Sequence, residues 1–194
     1  LDLAKAGEGG KDVPCNTHAY FDCLDGRLNM TVCCRSNDIL WGAYGANAVH
    51  FSMLLEFMAA AVGIDVGVYR QFSNNYHLYT DVVPLNKMHT LAVDSEYHDL
   101  YAQKLRTYPL VSTDYKSWLR DLDSFMADPA GHSYFDPFFN EVALPMYLAW
   151  YARKEKLGDG LDWVARIKAD DWSMACYRWI VRRKQPIKTV NQTV

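Results

Sequence analysis

The chain has 194 residues, 50% of them hydrophobic, and a formal net charge of −3. That size and apolar content suit one domain with a sizeable core, or at most two small ones, and the charge gives no electrostatic case for nucleic acid or membrane binding. Five cysteines, with Cys33 and Cys34 adjacent, fit a reduced cytoplasmic protein better than a secreted disulfide scaffold, so Asn29-Met30-Thr31 and Asn191-Gln192-Thr193 read as chance glycosylation triplets.

Residues 1–12 are rich in glycine and lysine and read as a loop. The chain begins at Leu1 without methionine, which is the expectation for a protein separated from an N-terminal portion. A hairpin follows. Asp25-Gly26 is a strong two-residue turn signal, because both residues tolerate the positive φ of a type I′ turn. Pairing Leu24 with Arg27 sets Cys15 opposite Ser36 and Asn16 opposite Arg35. One face then carries Cys15, Thr17, Ala19, Phe21 and Cys23 against Leu28, Met30, Val32, Cys34 and Ser36, and this is the expected core face. Strict alternation leaves Cys15 and Arg35 on opposite faces. A bulge at the open end, or departure from the ladder there, is needed to aim both at one ligand.

Ala46 to Val62 is the most apolar stretch, but His50 and Glu56 interrupt it and it is short for a membrane span. It reads as a buried central helix, bounded by Gly42 and Gly45 before it and by Gly63 and Gly67 after it. Val68 to Tyr79 reads as a strand, and the Pro84-containing stretch from Asp81 to Asp94 as a loop. Ser95 to Arg106 reads as a helix. Asp114 to Ala127 spaces Trp118, Leu119, Leu122, Phe125 and Met126 as a helix does. Asp136-Pro137 opens a further helix, expected to kink near Pro145 and to end by Gly158. Asp171 to Lys184 reads as the last helix, and Gln185 to Val194 as a polar tail. No metal site is expected, since Cys33-Cys34 lacks the spacing of a zinc site.

The motifs Pro14-Cys15, Asp25-Gly26, Arg35-Ser36-Asn37-Asp38 and Gly42 follow one another at the intervals of the thymidylate synthase family, which includes the phage nucleotide hydroxymethylases, and the chain resembles that family across residues 13–80. His77 and Tyr79 are similar to the family's His-x-Tyr. The chain also departs from the pattern. Asn16 stands where synthases carry histidine, and Cys34 where they carry glutamine. Aligned without a gap, the family's base-reading asparagine falls on Ala46, with Asn47 one place late. This leaves uracil and cytosine both open as the base. The N-terminal half of the family pattern holds a glutamate for proton transfers, a tryptophan by the folate and further phosphate arginines. Either it lies upstream of Leu1 or this chain does not turn over.

The resemblance implies an α+β fold: a thymidylate synthase-like mixed sheet, a central buried helix and a mostly helical addition over residues 81–194, all in one domain. It implies a homodimer packed sheet against sheet. It implies one-carbon transfer from 5,10-methylenetetrahydrofolate to C5 of a pyrimidine nucleotide monophosphate, with Cys15 as nucleophile at C6. By the same resemblance Arg35 and Ser36 bind the phosphate, Asp38 lies near base and folate, Asn47 is the candidate for the base, and His77 and Tyr79 donate to the sugar 3′ oxygen. The altered base-reading stretch and the unfamiliar C-terminal half favour hydroxymethylation of dUMP or dCMP. The alternatives are thymidylate synthase itself and a non-catalytic nucleotide-binding relative or fragment.

Overall fold

The computed structural model describes residues 14–80 and 104–182, which belong to two compact units, one on either side of the Asp94–Ser95 boundary. The helix expected over Ser95 to Arg106 falls almost wholly outside the described residues, as do the N-terminal loop and the polar tail.

The first unit opens with the hairpin. Strands β1 (Asn16–Leu24) and β2 (Arg27–Cys34) run antiparallel, and Leu24 pairs with Arg27. Asp25 and Gly26 take φ of 52° and 73°, as a type I′ turn requires. The chain passes through β3 (Asn37–Asp38) into a π-helical segment, Ile39–Ala46, kinked at Gly45 where the dihedrals leave the helical range, and then into α1 (Asn47–Val62). Helix α1 brings the chain back so that β4 (Asp65–Ser73) lies parallel to β2 and β5 (Tyr76–His77) parallel to β3. A parallel neighbour needs a long crossover, and α1 supplies it. The outcome is a mixed sheet in the order β1-β2-β4 beside a two-stranded sheet β3-β5. The strand expected from Val68 to Tyr79 starts earlier and is broken at Asn74-Asn75. There the Asn74 N–H donates to the Cys34 carbonyl (2.9 Å) and the Asn37 N–H to the Asn75 carbonyl (2.8 Å).

Leu28, Met30, Val32 and Cys34 of β2 form the core with Leu55 and Ala59 of α1, and Phe51, Met58, Ile64 and Tyr69 pack around them. The β2 half of the expected core face is therefore buried. The β1 half is not: Ala19, Phe21 and Cys23 are exposed, because β1 is the sheet edge and α1 packs on β2 and β4. The central helix is likewise covered on one side only. Leu55 and Ala59 are buried, while Val49, Leu54 and Val62 are exposed, since β2 and β4 cover a single face of it among the described residues.

Asn29 ties the three strands together from inside the sheet. Its Nδ2 donates to Asp22 Oδ1 on β1, and its Oδ1 accepts the Val68 N–H on β4, both at 2.8 Å. The β2–β4 register slips here. A Cβ on Gly67 would overlap Asn29 Oδ1 and meet the Leu28 carbonyl oxygen at 2.6 Å, so the bulge closes only around glycine.

The described residues of the second unit are mainly helical. In α2 (Tyr115–Ala127) the Asp114 carboxylate accepts the Lys116 and Ser117 N–H groups at 3.1 and 3.0 Å and so caps the helix N-terminus. Asp136 is fully buried. Its Oδ2 accepts from the Ser112 and Thr113 N–H groups and the Thr113 hydroxyl, and its Oδ1 from the Phe138 N–H. Four donors satisfy a carboxylate that water cannot reach. Next come a π-turn (Phe139–Ala143) and α3 (Leu144–Lys154). Pro145 has no N–H for the carbonyl four residues back, and that Glu141 oxygen accepts the Lys168 N–H instead (3.0 Å). The expected kink is thus a π-bulge just before the proline. A short α4 (Leu161–Val164) leads to α5 (Asp170–Arg182), where the Arg106 backbone and guanidinium bond the Asp170 carboxylate at 2.9 and 3.1 Å.

Candidate active site

At the open end of the hairpin the ladder slips. His18 pairs with Cys33, but Asn16 pairs with Cys34. The Arg35 N–H then donates to the Cys15 carbonyl at 2.9 Å, and Arg35 Nε to the Pro14 carbonyl at 3.2 Å. Regular pairing would have set Arg35 opposite Asn16. The bulge instead brings Cys15 and Arg35 side by side at the rim of the sheet. Beneath them Cys34 Sγ donates to Asn16 Oδ1 at 3.1 Å. Burial first, then the Cys15 and Cys33 thiols, push the Cys34 pKa up, so it stays a protonated donor.

The next three residues alternate. Asn37 points inward, while Ser36 and Asp38 flank it half-buried. Parallel pairing sets Asp38 beside His77. His77 Nδ1 lies 3.4 Å from both the Ser36 hydroxyl and the Asn75 carbonyl, which leaves Nε2 as the nitrogen for a ligand. Tyr79 stands edge-on to His77, with ring centroids 5.0 Å apart, and lies 6.0 Å from the Trp41 ring. Asp38 also acts locally. Its Oδ1 accepts the Leu40 and Trp41 N–H groups at 2.9 and 2.6 Å and caps the helical segment.

Asn47 joins this group through a residue the motif leaves undefined. Asn47 Nδ2 donates to Asn37 Oδ1 at 3.0 Å, and Asn37 Nδ2 donates to Ser73 Oγ at 2.9 Å. The π-segment explains the one-residue offset seen in the sequence. The Asn47 N–H bonds the Gly42 carbonyl, five residues back. An i+5 bond spans one residue more than an α-turn, so Asn47 comes round to Asn37, and Ala46 is left exposed. A Cβ on Gly42 would overlap Asn37 Oδ1 and crowd Asn47 Nδ2 at 3.3 Å.

Beside these amides lies an open cavity of about 680 Å³ lined by Ala43, Tyr44, Ala48, Tyr69, Gln71, Ser73 and Tyr76. Gln71 spans its wall, accepting from the Tyr69 hydroxyl (3.1 Å) and donating to the Ala43 carbonyl (3.3 Å). Burial, and secondarily Cys34, push the Tyr69 pKa up to about 12, so it remains a donor. A hydrogen bond with Tyr44 pushes Tyr76 up as well.

All seven residues singled out in the sequence thus belong to the first unit. Cys15 meets Arg35, Ser36 meets His77, and Asn47 meets this set through Asn37. Asn37, Ser73 and Gln71 carry no sequence signal of their own. The one hint was the alternation that buries the residue between Ser36 and Asp38.

A hairpin with a Cys–Arg bulge, followed by a Ser–His contact on a crossover strand, defines the α+β class of this unit. The thymidylate synthase family model matches residues 9–107, and the chain belongs to that family. It is similar to the deoxyuridylate hydroxymethyltransferase of Pseudomonas phage M6, 44% identical over 93% of this chain and 55% of that protein. The like-named protein of Bacillus phage SP01 is 45% identical over 37% of this chain and 18% of its own length. The thymidylate synthase of Symbiobacterium thermophilum is 34% identical over 36% of this chain and 24% of its own. The chain spans about half the length of the M6 relative. No solved structure matches it.

Proposed function

We propose that this chain carries the nucleophile and part of the nucleotide site of a deoxyuridylate hydroxymethylase. The reaction is transfer of a one-carbon unit to C5 of dUMP, with a hydroxymethyl group as product. The observation that carries this reading is the bulge that sets Cys15 against Arg35, next to the Ser36–His77 contact. The name of the M6 and SP01 relatives supports the uracil nucleotide and the hydroxymethyl product.

The Cys15 thiolate adds to C6 of the base, and the new C6–S bond makes C5 nucleophilic. Arg35, held beside Cys15 by the bulge, has a planar fork that suits the phosphate, to which the Ser36 hydroxyl adds a donor. His77 and Tyr79 take the sugar 3′ oxygen, and Asn47 faces the base. When bound, 5,10-methylenetetrahydrofolate supplies the one-carbon unit that C5 takes up. C5 then loses its proton and tetrahydrofolate departs as the leaving group. Water adds to the exocyclic methylene carbon left on C5, and the C6–S bond breaks with its electron pair returning to Cys15. The residues present fit a folate: Trp41, which follows the Asp38 cap, is exposed and pairs with the exposed Tyr79, and Tyr44 is exposed as well, an aromatic surface of the kind a flat heterocycle needs.

Hydride in place of water would give methyl, the thymidylate synthase outcome. A nucleotide binder without chemistry would keep Arg35, His77 and Tyr79 and never turn over. Cys15→Ser separates an enzyme from a binder. In an enzyme it drops turnover to background and leaves the dissociation constant for dUMP nearly unchanged; a variant with unaltered turnover contradicts the assignment of Cys15.

A homodimer packed sheet against sheet belongs to the same proposal. Its support is the sheet face turned away from α1, where Tyr20 is 58% and Phe72 64% exposed, with Val68 and Arg70 beside them.

A further inference from the structure

We propose that Asn37, the undefined residue of the Arg-Ser-x-Asp motif, is a positioning residue that sets which base the site accepts. It does so by holding the Asn47 amide with its oxygen toward the nucleotide. This rests on the reading above in which Asn47 faces the base.

Asn37 is 2% exposed, whereas Asn47, which donates to it, is half-buried. Its two polar atoms are both used. Oδ1 accepts from Asn47 Nδ2 at 3.0 Å, and Nδ2 donates to Ser73 Oγ at 2.9 Å. Three elements therefore meet at one buried amide: β3 carries it, the first residue of α1 donates to it, and the last residue of β4 anchors it. Gly42 is the packing partner that lets the two amides approach, since a Cβ there would overlap Asn37 Oδ1.

This chain of bonds gives the Asn47 amide a direction. With Nδ2 turned to Asn37, Oδ1 is the acceptor left to face a ligand. Uracil offers an N3–H donor on its pairing edge. Cytosine offers a bare N3 lone pair in the same place. The Asn47 oxygen pairs with the first and opposes the second. Turned over, the same amide would present its NH₂ and favour cytosine. Specificity here is a difference of two affinities, and the buried Asn37 sets its sign.

The test is calorimetric titration of the full-length protein with dUMP and with dCMP. The proteins are the unaltered chain, Asn37→Ala, Asn37→Asp and Ser73→Ala. The unaltered chain binds dUMP more tightly. Asn37→Ala loses about tenfold or more in dUMP affinity, the scale of one hydrogen bond, while dCMP affinity stays nearly constant, so the preference collapses. Asn37→Asp still offers an acceptor to Asn47 Nδ2, and the preference survives. Equal weakening of both nucleotides in Asn37→Ala, or an unchanged preference, overturns the inference and leaves the functional reading standing. An unaltered chain that binds neither nucleotide overturns that reading, and this inference with it. Should Asn37→Ala fail to fold by circular dichroism, Ser73→Ala decides. It removes only the outer anchor, so a partial fall in preference supports the inference and an unchanged preference overturns it.

Discussion

Asn16 and Cys34 stand where the family's synthases carry histidine and glutamine, and in this chain the two side chains bond each other (3.1 Å). Each departure is therefore the other's partner. Cys34 is sealed into the core, and burial holds its thiol protonated. Cys176 is buried too, and burial raises it likewise. Cys23 is exposed. Iodoacetamide at about pH 8 is thus expected to modify Cys23 quickly and to spare Cys34 and Cys176, read by peptide mass mapping; early labelling of Cys34 would contradict its placement. At Asp114 the side-chain bond from Ser117 is the largest of the effects that lower the carboxyl pKa below its usual 3.8. A depressed folded-state pKa contributes stability that is present above the usual value and is lost as pH falls through the lowered one. Asp114→Asn keeps a capping oxygen but does not titrate. The melting temperature of the variant is expected to fall less steeply than that of the unaltered chain between about pH 5 and pH 2.

At the scale of elements, two irregularities build the site: the bulge at Asn16 and the π-segment before Asn47. The hairpin was legible, because Asp25-Gly26 specifies both turn and register. The need for a bulge was legible too, since alternation separates Cys15 from Arg35. The π-segment was not, because α- and π-turns draw on the same residues and differ by one hydrogen bond. The parallel seat of β4 was not legible either. Its partner β2 lies across a whole helix, and local pattern does not specify a distant neighbour. Alternation marked two faces on β1 without indicating what covers them, which is why its expected core face is exposed. Helix α2 was legible, since Trp118, Leu119, Leu122, Phe125 and Met126 keep helical spacing. At the β2–β4 bulge, Gly67→Ala forces a Cβ onto Asn29 and the Leu28 carbonyl. We expect a loss of about 1–3 kcal/mol in the unfolding free energy of the first unit, measured by urea denaturation, the usual scale of overpacking.

At the scale of the whole molecule, recognisable family chemistry is confined to the first unit, while similarity to the M6 phage protein extends over 93% of the chain. The helical unit was legible as helices and not as a function. Its motifs are a cap, a buried carboxylate and a proline bulge, and each of these serves folding. The proposed dimer puts the burden on the uncovered sheet face. Phe72→Glu is expected to shift the protein from dimer toward monomer in sedimentation velocity, and an unchanged dimer would contradict a sheet-to-sheet interface. The central claim, C5 chemistry through Cys15, is tested most directly by incubating the full-length protein with C5-tritiated dUMP and methylenetetrahydrofolate. Tritium release is followed and the product is weighed by mass spectrometry. The account predicts folate-dependent release and a hydroxymethylated nucleotide, with both lost in Cys15→Ser. No release from dUMP, with dCMP tried in parallel, would contradict it.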